Sequence, residues 1–365
     1  MEAGTDATFG FEFYSSTTGT VSSDPAQVQT GLRSIKCDST GSGLEASVLK
    51  QGILDDAGRR ISCYFRFSTL PTADTDILIA WASGDTSNPW SLRLRTSGKL
   101  ALWSASQLGT DGSTLSINTW YRISVAYKIT STTVYDLRVF VNGVLDISVT
   151  NGTALFTTGT LDLAVGWIGD GTNNAITNVD DLYVDDSAAL TDPGNIHITA
   201  KLPNSNNVNN FNTAIGANPA NRWTNVNERA LSETNGWGDN AASTQLENYT
   251  LQTAAVGDVD ISAATIIARM AWIWAKQLIA VAGTPGITNN GTTTGITLTT
   301  TSTLYTDIVD SSIYPSDVAG IGMRSAGVAA DATDLFECGM LIAYIPGVPL
   351  PVLDIPSILN APIGR

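Results

Sequence analysis

Residues 137–149 read Leu137-Arg138-Val139-Phe140-Val141-Asn142-Gly143-Val144-Leu145-Asp146-Ile147-Ser148-Val149, and this stretch decides the fold. Leu137, Val139 and Val141 alternate with other residues, run into Asn142-Gly143, and are answered by Leu145, Ile147 and Val149. A period of two puts one set of side chains on one face of a strand. Asn-Gly is the dipeptide that most readily adopts the left-handed pair of a tight hairpin. The same reading extends outward. Ile61, Cys63, Phe65 and Phe67 alternate with Ser62, Tyr64, Arg66 and Ser68, and Ile123, Val125, Tyr127 and Ile129 form another stripe. Ile77, Ile79 and Trp81 continue it, as do Leu92 and Leu94, which Ser97-Gly98 turns back into Leu100 and Leu102. Leu161, Leu163, Val165 and Trp167 follow, and Leu182 and Val184 close the series between acidic residues. Val48–Asp56 is the one stretch with a claim to helical spacing, and it is interrupted by Gly52. Many short alternating strands joined by Gly, Asn and Asp turns predict a sandwich or jelly roll.

A boundary falls at the small, polar, Pro-Gly-punctuated stretch Ser187–Asn195. Beyond it, Ile196, Ile198, Ala200 and Leu202 share a face. Pro203–Asn248 reads as long Asn-rich loops with little regular structure. Thr265–Lys276 is apolar on both faces, which predicts a central strand, and Phe336, Cys338, Met340, Ile342 and Tyr344 make a final strand. After Pro346 the prolines at 349, 351, 356 and 362 alternate with apolar residues, which favours extended chain over helix or inner strand. The expected class is therefore all-β. Two β-sandwich, jelly-roll-like domains lie in tandem, at 1–190 and 195–346. A Pro-rich extended arm follows at 347–365, with Pro349, Leu350, Val352, Ile355 and Ile358 as its assembly contacts. A neighbouring subunit and the arm's own domain are both open as the surface it rests on.

Composition narrows the function classes. Hydrophobic residues are 43% of the 365, charged residues only 15%, and the formal net charge is −15. A sparse and acidic charge set is unsuited to nucleic acid, whose phosphates require Lys and Arg clusters. Arg59-Arg60 and the Arg93/Arg95 pair are the nearest approaches, and both read as solvated strand ends or faces. The N-terminal segment has no secretory pattern, and no run of 18 apolar residues predicts membrane insertion. Three cysteines without a CxxC give neither a disulfide framework nor a zinc site. Cys63 and Cys338 read as small buried hydrophobes, with a Cys37–Cys63 bridge as the alternative.

The first half resembles a concanavalin A-like, LamG-type jelly roll. Asn118-Thr119-Trp120-Tyr121-Arg122-Ile123, then Val139-Phe140-Val141-Asn142-Gly143, is similar to a recurrent pattern of that family. So is the closing Asn178-Val179-Asp180-Asp181-Leu182-Tyr183-Val184-Asp185-Asp186, and Phe9–Phe13 and Gly31–Ile35 fit its first strands. The second half resembles a module that follows such jelly rolls in tailed-phage structural proteins. It does so through Asp192-Pro193-Gly194-Asn195, Leu202-Pro203-Asn204, Trp223 with Asn227-Glu228, Gly257-Asp258-Val259-Asp260 and Tyr314-Pro315. The Trp-Thr step usual in that module is replaced here by Asp334-Leu335. The resemblance implies a bacteriophage virion protein, localised on the capsid exterior or in the tail. Its partners would be itself, as a homo-oligomer, and other virion proteins such as major capsid or tail proteins.

Chemistry is sparse. Some concanavalin A-like proteins are glucanases, with Glu-x-Asp-x-Glu on one strand aiming acid and nucleophile into a cleft. No such run exists here, and no catalytic residue is assigned. Asp180, Asp181, Asp185 and Asp186 read as solvated strand ends, with a calcium site as the sharper alternative because hard carboxylate oxygens suit that ion. No other cofactor is expected. His197, the single histidine, falls on the polar face of its strand, so triad chemistry lacks its base. Trp81, Trp90, Trp103, Trp223 and Trp237 are the aromatic candidates for stacking on sugar rings. Of these, Trp90, Trp223 and Trp237 stand in loop-like context and are the carbohydrate-binding candidates. The leading function class is a non-enzymatic virion structural protein, the second a module that binds host surface glycans, and the third a polysaccharide-cleaving enzyme, which the missing acid triad ranks last.

Overall fold

The structure, a computed structural model, describes residues 14–346 apart from 18, 31–32, 41–44, 55–56, 83–89, 132–133, 154–159, 169–174, 217–219, 227–232, 253–263, 279–284, 290–291, 311–319 and 328–332. The arm residues Pro349, Leu350, Val352, Ile355 and Ile358, the Phe9–Phe13 strand, and the Gly257–Asp260 and Tyr314-Pro315 markers lie outside the described residues.

The protein is all-β, and its strands assemble into two pairs of antiparallel sheets. In the first pair, one seven-stranded sheet runs in spatial order Tyr14–Thr17, Ala46–Leu54, Leu161–Ile168, Thr75–Ala82, Trp90–Leu94, Leu100–Trp103 and Gln107–Leu108. The facing sheet runs Val144–Thr153, Val134–Val141, Trp120–Ser131, Gly58–Phe67, Ile176–Asp185, Ser34–Asp38 and Thr20–Asp24. The alternation read from sequence is what brings them face to face. Ile61, Cys63, Phe65 and Phe67 meet Leu161, Leu163, Val165 and Trp167 in one buried core. Rings cross between the sheets, Phe67 to Trp167 and Trp90 to Tyr127, each with centroids 5.7 Å apart. Burial of each such aromatic side chain contributes about 1.5–3 kcal/mol.

Asn142 and Gly143 form the expected turn, with φ of 51° and 84°. Val141 pairs with Val144 across it, and Asn142 Oδ1 accepts the Arg122 N–H at 2.9 Å. Asn142→Ala would force an alanine into the left-handed region, which costs roughly 1–2 kcal/mol, and would free the Arg122 N–H. The expected result is a melting temperature lower by a few degrees, read by circular dichroism, with Asn142→Gly close to wild type.

In the second pair, a sheet ordered Thr213–Ile215, Gly236–Asp239, Thr333–Ile345, Thr265–Gln277 and Thr303–Asp310 also carries His197–Lys201 on Thr333–Ile345. It packs on a sheet ordered Pro203–Asn209, Leu246–Leu251, Gly320–Arg324, Gly286–Asn289 and Thr292–Gly295. Ile273, Ala275, Cys338, Met340 and Ile342 from the first of these meet Tyr249, Leu251, Ile287, Ile321 and Met323 from the second. Thr265–Gln277 is paired along both edges, as its two apolar faces predicted.

Two sequence expectations are corrected. Val48–Asp56 is not helical: Ala46–Leu54 is a strand between Tyr14–Thr17 and Leu161–Ile168, and ladder pairing on both sides overrides the weak helical spacing. Pro203–Asn248 is not loop alone. It holds Pro203–Asn209, Thr213–Ile215, Gly236–Asp239, the start of Leu246–Leu251 and a short 3-10 turn at Arg222–Asn225. Pro203–Asn209 escaped notice because it is an edge strand whose middle is mostly solvent-facing Asn and Ser, so it lacks an apolar stripe. The three cysteines are unbonded and buried.

Candidate functional site: the strapped outer face at the sandwich junction

The second sheet of the first sandwich turns its inner face to the core and its outer face to the chain that leaves it. On that outer face the pleat lines up Arg60, Ser62 and Tyr64 beside Arg122 and Ser124, with Arg138 one strand further. The chain exits at Asp185 and is strapped across these strands. Arg60 grips Asp185 through both arms of its guanidinium, Nη2 to Oδ2 at 2.7 Å and Nε to Oδ1 at 3.1 Å. Arg138 Nη1 donates to the Leu190 carbonyl at 2.9 Å. Arg122, buried, donates to Asp192 Oδ1 at 2.6 Å and Oδ2 at 2.8 Å, and to the Gly194 carbonyl at 2.6 Å. Tyr64 donates its hydroxyl to Asn195 Oδ1. Paired N–H groups on a planar guanidinium match a carboxylate's two oxygens, which is why arginine rather than lysine suits the clamps on Asp185 and Asp192.

Burial pushes the Asp192 carboxyl up, but the hydrogen bonds and charge of Arg122, with help from Ser124 and Gly194, outweigh it and hold the group below its ordinary value. Burial drives the Tyr64 hydroxyl up to about 12, so it stays a donor.

Asp180 and Asp181 sit where the strand Ile176–Asp185 slips register against Gly58–Phe67. Asp180 Oδ2 accepts the Gln29 N–H at 2.9 Å, and its Oδ1 accepts the Asp181 N–H at 2.9 Å. Asp181 Oδ1 accepts the Thr30 hydroxyl at 2.6 Å and the Ile198 N–H at 2.8 Å, and its Oδ2 lies 2.7 Å from His197 Nδ1. Burial first, and then the neighbouring Asp181 charge, push the Asp180 carboxyl well above its usual range, against the lowering pull of the Gln29 and Thr30 N–H groups.

These positions correct several expectations. Asp180 and Asp181 are not solvated strand ends but buried acceptors. Asp185 faces Arg60, and only Asp186 of the four is exposed, its carbonyl 3.4 Å from Arg59 Nη1. The oxygens of Asp180, Asp181 and Asp185 are occupied by protein donors, and among the described residues no group of three or more His, Cys, Asp or Glu is placed to hold a metal ion. His197, which the sequence left as either structural or exposed, is buried at the junction and structural. Arg93 and Arg95 are partly exposed, as expected of strand faces, and also paired: Arg93 with Asp76, and Arg95 with Asp74 and Asp111.

The tryptophans are also redistributed. Trp90 is fully buried, 0% exposed, because it opens a core strand. Trp237 is 4% exposed and lies under the Arg222 guanidinium, 3.6 Å from its ring centroid. Neither offers a face to a sugar. Trp223 is half-buried against the second core. Among the described side chains, Trp103 reaches the outer face of the first sheet, half-buried, with the Arg93 guanidinium 4.4 Å from its ring centroid. Arg93 is held by Asp76, Nε to Oδ1 at 2.8 Å, and Asp76 Oδ1 also accepts the Ser91 hydroxyl at 2.8 Å. Alternation could have found Trp103, since Leu100 and Leu102 point inward and Trp103 must then point out.

Residues 46–192 match the model of the concanavalin A-like lectin/glucanases superfamily. Among solved structures, an endo-β-1,4-glucuronan lyase from the fungus Trichoderma reesei is similar at 15% identity, covering 52% of this chain and 97% of that one, with a TM-score of 0.39. Cellulose induced protein Cip1 is similar at 14% identity, covering 48% and 92%, with a TM-score of 0.38. Domain 4 of AbnA, an extracellular arabinanase from Geobacillus stearothermophilus, is similar at 17% identity, covering 46% and 80%, with a TM-score of 0.32. No curated protein matches the chain in sequence. The strand alternation, the two packed seven-stranded sheets and the matched segment together identify the first sandwich as a concanavalin A-like, LamG-type jelly-roll domain.

Proposed function

We propose that this protein is a non-enzymatic virion structural protein, on the capsid exterior or in the tail, acting by self-assembly and surface attachment. One observation carries the reading. The side chains best suited to chemistry, namely Asp180, Asp181, Asp185, Asp192, His197, Arg60 and Arg122, serve as fasteners at the junction, each paired to another part of the same chain. A charge content of 15% and the apolar Pro-rich arm after Pro346 accord with a surface built to pack against copies of itself and other virion proteins. The test is a depolymerisation assay on a panel of polysaccharides. No product is expected. Product formation that is lost in Asp180→Asn, Asp181→Asn or Asp185→Asn would overturn the reading.

A second reading, attachment to host surface glycans, is favoured by Trp103. Its ring is oriented by Arg93 and Asp76 on the outer face of the first sheet, and a flat aromatic beside fixed donors suits a sugar ring. On this reading Trp103→Ala weakens binding to a glycan array hit about tenfold, roughly 1.4 kcal/mol, with the far-UV circular dichroism spectrum unchanged. Trp90→Phe, a change inside the core, leaves affinity unchanged. If no glycan on the array is retained, attachment runs through protein contacts alone.

A further inference from the structure

We propose that Asp181 and His197 form a pin that locks the two sandwiches into one rigid body. The inference does not depend on what the protein attaches to.

Asp181 has φ of 51°, a left-handed conformation that non-glycine residues rarely take. It occurs at the register shift between Asp180 and Tyr183, inside a strand rather than at a turn. Such an outlier persists only when its surroundings over-determine it, and a bulge of this kind re-aims a side chain. Here the carboxyl of Asp181 reaches two separate elements. It takes the Thr30 hydroxyl at 2.6 Å from within the first sandwich. It also takes the Ile198 N–H at 2.8 Å and faces His197 Nδ1 at 2.7 Å, at the start of the second sandwich.

His197 is gripped from both sides. Its ring stacks on Tyr64 of the first sandwich, with centroids 5.3 Å apart and planes 15° apart, and leans on Tyr344 of the second at 5.8 Å. Its Nε2 lies 3.2 Å from Asn195 Nδ2, and Asn195 Oδ1 accepts the Tyr64 hydroxyl. The bonds therefore run in a chain from Tyr64 through Asn195 and His197 to Asp181. With Asn195 Nδ2 donating to Nε2, the imidazole proton sits on Nδ1 and points at Asp181. Outside this chain, Tyr183 of the first sandwich packs on the cluster of Ile196, Ile198 and Ala343 of the second. A Cβ built on Gly194 would lie 3.5 Å from Ile345 Cδ1, so the last strand ends beside the strap, one residue before Pro346.

The experiment uses the full chain and two variants, with calorimetry and small-angle X-ray scattering. The wild type is expected to melt in one cooperative transition and to scatter as a single rigid two-lobed particle. Asp181→Ala should split the melt into two transitions and give the larger dimensions of two lobes on a loose joint. Asp181→Ala could also unfold the first sandwich, so His197→Phe is the second variant. It keeps the ring between Tyr64 and Tyr344 and removes only the hydrogen bonds, and it should split the melt in the same direction by a smaller amount. A wild type that already melts in two independent steps overturns the proposal. So do two folded variants that keep one transition and the wild-type scattering curve.

Discussion

Arg222→Ala is expected to lower the stability of the second sandwich by about 3–5 kcal/mol, the cost of stranding a buried charge. The stranded group is Glu247, whose side chain is 0% exposed. Arg222 Nη2 donates to Glu247 Oε2 at 2.9 Å and to the Phe211 carbonyl at 2.7 Å. Nε stands 2.9 Å from Oε1 but off the line of a hydrogen bond, so most of the directed bonding runs through Nη2. The guanidinium also covers Trp237, whose indole N–H donates back to the Arg222 carbonyl at 3.0 Å. Tyr249 adds its hydroxyl to Glu247 Oε1 at 2.8 Å. Burial raises the Glu247 carboxyl above its ordinary value even against Tyr249 and Arg222. Deleting the cation therefore leaves a carboxylate with little solvent, and a domain of this size loses roughly 2–4 °C per kcal/mol. A melting temperature down by roughly 10 °C is the expected outcome of thermal denaturation. Glu247→Gln combined with Arg222→Met should recover part of it, since replacing both charges removes the stranded one. A change under 2 °C for the single variant would contradict this account of the second core.

The second large effect is expected at Arg122. Its guanidinium is 7% exposed and holds Asp192, which is 18% exposed. Because Asp192 keeps some solvent, Arg122→Ala should cost less than a fully buried pair, about 2–3 kcal/mol. The loss should appear first as cleavage of the strap between Asp186 and Asn195 by proteases that spare the wild type. Arg122→Lys should recover only part, because an ammonium lacks the fork that spans both Asp192 oxygens. The clamp also has a pH signature. Asp192 is held below its ordinary value, so the stability it contributes is present above the unfolded value near 3.9 and is lost as pH falls through the folded one. The wild type should therefore become protease-sensitive in the strap on acidification below about pH 4, and Arg122→Ala should be sensitive already at neutral pH. Equal resistance of the two proteins at pH 7 would show that Arg122 does not hold the strap.

Much of the fold was legible because it rests on local alternation. The Leu137–Val149 hairpin, the Ile61–Phe67 stripe and the doubly apolar Thr265–Lys276 strand all stand where their side-chain periods put them. The site was less legible, for a physical reason. Its contacts join residues far apart in the chain, such as Thr30 with Asp181 and Arg122 with Asp192. Nothing in the local pattern of Asp180-Asp181-Leu182 announces a left-handed residue within a strand, so the two carboxylates read as wet strand ends. For His197 the sequence left a structural and an exposed role open, because its strand's outward face is polar and the rings that cover it, Tyr64 and Tyr344, are remote in sequence. Trp90 misled by its neighbours, since Asn88-Pro89 ahead of it reads as loop while its own side chain opens a core strand.

The most direct measurement of the central claim is the mass of the purified protein by light scattering, full-length and truncated after Pro346. Assembly through the arm predicts a closed oligomer for the full chain and a monomer for the truncation, because the shorter chain lacks the apolar side chains of Leu350, Val352, Ile355 and Ile358. Two monomers of equal stability would contradict self-assembly through the arm.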